Sequence, residues 1–187
     1  MGDLKGVIRE LFDQRERDFL LSPVRVTMNA QLENIEVGDF RIASLSGGEN
    51  TEIPRWVAEE LAELKLCEIE EEAFEVEILR ALTREKMLGS PQLSALQPDF
   101  YLKMRRRLRL VRQGVDSGKY RREDYERLKS SCYDLIGRRM SKLLSMSGSA
   151  SGLEAISDRL TREEKSFFST SQSLSREWKE ALLGEAG

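Results

Sequence analysis

The sequence predicts an α+β chain, with a small β-rich unit and an N-terminal helix over residues 1–70, followed by an α-helical bundle over 71–187. Two observations carry this division. Before residue 70, short runs of β-forming residues lie between glycine-containing turns, and one of them alternates in polarity. After it, apolar residues recur every three or four positions, most clearly in the long stretch from Leu96 to Ser147. At 187 residues and 40% apolar composition, the chain suffices for one sizeable domain or two small ones and can bury a core.

In the first part, Leu4, Val7, Ile8, Leu11 and Phe12 share one helical face ahead of the charged run DQRERD. This predicts a short amphipathic helix that packs on the domain behind it and stops at Pro23. Val24, Val26 and Met28 then alternate with Arg25, Thr27 and Asn29, as in a half-buried strand. Turns are expected at 37–39 (VGD) and at SGGEN, with FRIASL as a strand between them, giving a small antiparallel sheet. Ile53 precedes proline and is biased to extended backbone, whereas Pro54 suits a helix start. The helix after it is expected to turn Trp56, Val57, Leu61 and Leu64 to the sheet, with Trp56 and Leu61 as core residues of the small unit. Leu66–Glu70 reads as a returning strand.

The second part opens with a Glu-rich helix from Glu71, carrying Phe74, Val76, Ile78, Leu79, Leu82 and Met87 towards a break at 89–91 (GSP), which is read as a possible hinge. Pro98 fits the first turn of the next helix. There Phe100, Met104, Leu108, Val111 and Val115 form a stripe, and Arg105, Arg106, Arg107, Arg109 and Arg112 cover the rest. Gly114, Ser117 and Gly118 break the chain. A second helix follows, antiparallel to the first, with Leu128, Cys132, Leu135, Ile136 and Leu143 pointing one way and Arg127, Lys129, Arg138, Arg139 and Lys142 elsewhere. SGSASG, 147–152, reads as a flexible connection. Thr161 and Glu164 have capping-box spacing, and Phe167, Leu174, Trp178 and Leu182 continue a stripe along the last helix. The bundle is expected to place antiparallel neighbours beside one another through short loops. Phe100, Tyr101, Met104, Leu108, Val111, Leu128, Leu135, Phe167, Leu174 and Trp178 are the candidates for core or subunit interface.

Charge is unevenly distributed. Residues 99–146 hold 14 Lys and Arg against 6 Asp and Glu, whereas 59–85 hold 10 Glu against 3 Lys and Arg, although the whole chain is only −3. Such poles suggest a partner matching each, or solvated helix faces. The chain has no histidine, so the commonest general base and metal ligand are missing. Cys67 and Cys132 stand far apart without zinc-site spacing and read as buried thiols of an intracellular protein. No phosphate loop or nucleophile elbow is present, and no cofactor or metal is expected. Glu68, Glu70, Glu71 and Glu72 lack the loop spacing of a cation site and read as a solvated helix start. The helices are too polar to span a membrane, and a soluble cytoplasmic protein is expected. An alternative function is nucleic-acid binding, with the Arg105–Arg112 face on phosphates and Tyr101 or Tyr120 stacking on bases; this also fits meeting an acidic partner surface.

Three segments carry a family resemblance. IPRWVAEEL (53–61) resembles a segment of the small β-rich domain of the GINS family. LQPDFYLKM (96–104) resembles the opening of a principal helix of its α-domain, and LTREEKSFF (160–168) is similar to the start of its last helix. The resemblance runs from about Phe19 to Leu183, and the order and separation of the segments make it more specific than any one of them. It implies a non-catalytic replication subunit of the arrangement with the β-rich domain first, although 79–101 also resembles the helical start of the opposite arrangement. Within that family, the high charge and compact length point to an archaeal member, assembled with other GINS subunits as a heterotetrameric dimer of dimers or a homotetramer. Such an assembly would scaffold the MCM helicase and a RecJ-like nuclease at the fork, with DNA contact secondary.

Overall fold

The computed structural model describes residues 4–37, 40–90, 92–148 and 156–184, and it has the α+β class that the sequence predicts. The chain divides into two compact units, Met1–Glu72 and Ala73–Gly187.

The first unit is built on β1 (Pro23–Met28), which pairs antiparallel with β4 (Asn50–Pro54) on one side and β5 (Cys67–Ile69) on the other. Val24, Val26 and Met28 are buried as their alternation predicts. β2 (Ile35–Val37) and β3 (Phe40–Ile42) form a separate antiparallel pair. β4 shows how far a pre-proline bias can extend: the whole segment Asn50–Pro54 is a strand, and Pro54 is tolerated because β4 lies at a sheet edge. The turn expected at 37–39 lies partly outside the described residues, as does the linker expected at 147–152.

Two helices complete this unit. α1 (Leu4–Leu21) is longer than expected, since the charged run continues it, and the side chains of its proposed Leu4–Leu11 stripe lie outside those described. α2 (Arg55–Glu63) buries Val57, Ala58 and Leu61 against Ile53 and Cys67. Two expectations for α2 are corrected. Trp56 only flanks this core half-buried, and Leu64 is exposed. Arg55 is buried instead, its guanidinium 4.1 Å from the Phe19 ring centroid and forked onto Glu71 at 2.6 and 2.8 Å. Burial of the Cys67 thiol pushes its pKa up. α2 ends in a Schellman turn, in which Leu66 N donates to Leu61 O and Lys65 N to Ala62 O. Lys65 therefore occupies the left-handed position, at φ 61°, that usually takes glycine.

The second unit packs α3 (Phe74–Met87), α4 (Phe100–Asp116) and α5 (Arg122–Ser147) around Phe74, Ile78, Leu82, Phe100, Met104, Val111, Leu128, Cys132 and Leu135. α4 and α5 are antiparallel, as predicted, whereas α3 and α5 run in the same direction: Glu75 and Leu79 lie near Arg127 and Ser131, and Glu85 near Arg139. A twelve-residue connection separates α3 from α4, so only α4 and α5 are short-loop neighbours. Gly114 is not a break. It lies inside α4, where a Cβ would stand 2.0 Å from Cδ2 of Tyr120, so glycine admits the Tyr120 ring. Of the apolar residues that α3 carries, Val76, Leu79 and Met87 are exposed, whereas Ala81 and Glu85 are buried.

α6 (Arg162–Leu183) starts at the predicted capping box: Glu164 N donates to Thr161 Oγ1 and Thr161 N to the Glu164 carboxylate. Its Phe168 joins Leu93, Leu143, Met146 and Leu160 in a second apolar cluster, with Phe167 packed half-buried beside it.

The largest departure from the sequence reading is Arg139, expected on the outer face of α5 and in fact 0% exposed. Its Nε and Nη2 donate to the Glu164 carboxylate, Nη1 donates to Glu85 Oε2 at 2.9 Å and Ser94 O at 2.8 Å, and Nη2 also reaches Arg159 O. Lys142 Nζ donates to Glu85 Oε1 at 2.6 Å and to the carbonyls of Glu85, Leu88 and Gln92. It thereby caps α3 and holds Leu88 and Gln92 on either side of the GSP break, whose Pro91 lies outside the described residues. Ser94 N and Oγ donate to Glu85, and Tyr101 Oη donates to Glu164 at 2.7 Å. Burial and the facing Glu164 carboxylate push the Tyr101 pKa up; for Arg139, burial, which would lower it, is outweighed by Glu164, Tyr101 and Glu85 together, and its pKa is raised.

The Glu85 carboxyl titrates below its ordinary value, because the hydrogen bonds from Lys142 and Ser94 and the charge of Arg139 together outweigh burial, which alone would raise it. A lowered folded-state pKa contributes stability above the unfolded value, near pH 4.3, and that contribution is lost as pH falls through the folded value. Unfolding by urea from pH 7 to 3 is therefore expected to show falling stability below about pH 4.3. Arg139→Met should cost about 3–5 kcal/mol at pH 7, because carboxylates stay buried without their cation. It should also weaken the acid dependence, since burial of Glu85 is then less opposed. In the first unit, Lys65→Gly should raise stability by about 0.5–1 kcal/mol by removing the cost of a side chain at positive φ, read as a shift of the denaturation midpoint.

Candidate functional site

The helical unit leaves apolar surface uncovered in a regular pattern. On α5, Tyr133, Met140 and Leu144 follow one another by seven and four residues and are exposed, opposite the buried Leu128, Leu135 and Arg139. Gly137, between them, is also exposed and leaves open space over the backbone. On α6, Leu174, Trp178 and Leu182 repeat every four residues at 65–68% exposure.

The α6 stripe has a simple geometric origin. Four residues advance a helix by about 400°, so each step drifts only about 40° around the axis. Leu174, Trp178 and Leu182 therefore continue the same side of α6 that buries Glu164, Phe168 and Ser171 in its first half. The underlying cluster of Leu93, Leu143 and Met146 serves that first half, and the second half keeps its apolar side with solvent over it. Lys179 Nζ holds this half to the end of α5 through the Gly148 carbonyl, at 2.9 Å. Contiguous exposed apolar side chains on helices of this kind mark protein–protein contact.

The residues singled out from sequence separate into three groups. Phe100, Met104, Val111, Leu128 and Leu135 are buried in the chain's own core, with Tyr101 and Leu108 half-buried against it. Phe167 is half-buried in the second cluster. Leu174 and Trp178 are exposed. Sequence reasoning passed over Tyr133, Met140 and Leu144, although their seven-four spacing on a helix already marked as amphipathic was a usable signal.

The arginines of α4 do not form one uniform basic face. Arg107 donates from Nε to Glu75 Oε1 at 2.7 Å and stands 5.6 Å from the Tyr120 ring centroid; burial, which would lower its pKa, is outweighed by Glu75 and Tyr120 together, and the pKa is raised. Arg105 and Arg106 are half-buried, whereas Arg109 and Arg112 are exposed. Lys103 pairs with Asp99 at 3.5 Å and Glu77 at 3.8 Å. On α5, Asp134 is held below its usual pKa by Lys86 and Arg138. Cys132 is buried and its thiol is pushed up to about 11 by that burial, away from the range of a reactive thiolate.

Among the described residues no group of three or more metal-ligating side chains comes together, and no helix is long and apolar enough to cross a membrane. No curated protein matches the chain significantly. The family model of the GINS complex protein helical bundle domain, Sld5, matches residues 58–183, from within α2 to the last turn of α6. That match spans well over half of the sequence and includes every helix of the bundle, and the chain therefore belongs to this GINS family.

Proposed function

We propose that the chain is a non-catalytic subunit of a GINS replication complex, joined to its other subunits through the exposed faces of α5 and α6. The observation that carries this is the run Leu174, Trp178, Leu182, with Tyr133, Met140 and Leu144 on α5: large apolar side chains at helical spacing, exposed in a chain whose own core is complete without them. Burying such side chains at a subunit contact removes apolar surface from water at about 25 cal/mol per Å2. With the β-rich unit ahead of the bundle, the chain fits an archaeal subunit in a dimer of dimers or a homotetramer. Such an assembly would serve in the cytoplasm, at the nucleoid, as a scaffold between the MCM helicase and a RecJ-like nuclease. Direct DNA binding by α4 is the weaker reading, since Arg107 is already engaged by Glu75.

Pull-down of the tagged chain from its own cell extract, with nuclease present, tests the assembly. Recovery of another GINS subunit together with MCM and a RecJ-like protein supports it, and recovery of none of them overturns it. In the chain separated from its partners, Leu174→Asp/Trp178→Asp should leave far-UV circular dichroism unchanged and shift the thermal midpoint little, as expected of exposed positions. The same variant should lower the mass seen by light scattering and lose co-purifying subunits. An intact assembly in this variant would remove α6 from the interface. Met104→Asp cannot serve this purpose, because Met104 is buried in the chain's own core and its replacement tests folding.

A further inference from the structure

We infer that α6, together with the short 3-10 turn Ser157–Arg159 ahead of it, opens as a cooperative unit separate from α3–α5, and that Glu164 on Arg139 is the latch that holds it closed. Three features of the second unit lead to this. The apolar contacts of α6 belong to their own cluster: Phe168 meets Leu93, Leu143, Met146 and Leu160, and none of these residues is part of the core that α3, α4 and α5 build around Phe100 and Leu135. Burial along α6 is confined to Glu164, Phe168 and Ser171, so one side chain supplies most of its apolar anchoring. The charged anchor is likewise local, with Glu164 receiving Arg139, Tyr101 and its own capping residue Thr161.

Opening α6 leaves the α3–α5 core and the Arg139–Glu85 and Lys142–Glu85 pairs in place. Global unfolding must break all of these as well. An element that can leave while the main core survives has a smaller opening free energy and exposes less surface, which is the definition of a low-stability unit within a native protein. The latch opposes this opening because Arg139, left with Glu85 and Ser94 on Nη1, loses the carboxylate that meets its other two nitrogens. What the opening uncovers is specific: the apolar floor of Leu93, Leu143 and Met146 and the guanidinium edge of Arg139. The inference does not depend on the chain's partners.

Amide hydrogen exchange on the full chain, followed at increasing sub-denaturing urea, tests it. Amides of residues 166–173 are expected to exchange at least tenfold faster than those of 104–111 and 128–139, with a smaller dependence on urea. Glu164→Gln and Phe168→Ala should each speed exchange in 166–173 by about tenfold or more while leaving 104–111 unchanged. Equal protection and equal urea dependence in α6 and the core of the wild-type chain would overturn the inference. So would variants in which both regions accelerate together.

Discussion

Arg139 carries a full positive charge at a position with no exposure to solvent, and the helical unit is arranged to meet it. A guanidinium offers five N–H donors in a fixed plane, and burying it unpaired would cost several kcal/mol. Here the donors are taken by Glu164 at the start of α6, Glu85 near the end of α3, and the carbonyls of Ser94 and Arg159. One side chain of α5 thus fixes a second helix, the first turn of a third and the connection between α3 and α4. An apolar residue at 139 would bury more easily but would not select which helix end comes to it. The requirement for a carboxylate at a capping position, with Tyr101 adding its hydroxyl, ties the register of α6 to that of α4 and α5.

The segregation of charge along the sequence follows from the same constraint. The Glu-rich segment and the Arg-rich segment lie far apart in the chain, and their separation suggests external partners for each. Much of it is used internally: Glu75 meets Arg107, Glu77 meets Lys103, and Glu85 meets Arg139 and Lys142. α3 is acidic where it faces α4 and α5 because those helices are basic. The half-buried pairs Glu75–Arg107 and Glu77–Lys103 contribute modestly, whereas the pairs around Glu85 are buried and carry an all-or-none geometry.

This also explains which parts of the fold could be read in the sequence. The strand Pro23–Met28, the α4–α5 pair and the Thr161–Glu164 cap were legible because each is set by local periodicity or by two residues at fixed spacing. The positions of Arg139 and Glu85 were not. Periodicity places them correctly on their helices, but a polarity pattern assigns any charged residue to solvent, and only the distant partner, 54 residues away, reverses that assignment. Trp178, a candidate for core or interface, shows the opposite case. It belongs to an apolar stripe as regular as that of α4, and nothing local to the sequence indicates that the layer beneath it ends after Ser171. The parallel relation of α3 and α5 was hidden for the same reason, since loop length and hydrophobic spacing do not state which helices touch.

The two halves of α6 therefore stand in different physical situations on one continuous helix. The first half is held by a buried carboxylate and one phenylalanine, and both are contacts to its own chain. The second half carries Leu174, Trp178 and Leu182 on the same side with nothing in the described chain over them. A helix of 22 residues gains little from propensity alone and depends on packing for its stability. A partner that covers the second half would add packing to an element whose first half is only locally anchored, and would stabilise both together. Association through α6 and closure of the Glu164–Arg139 latch are then thermodynamically linked: whatever holds the helix in place prepares the surface, and whatever covers the surface holds the helix in place.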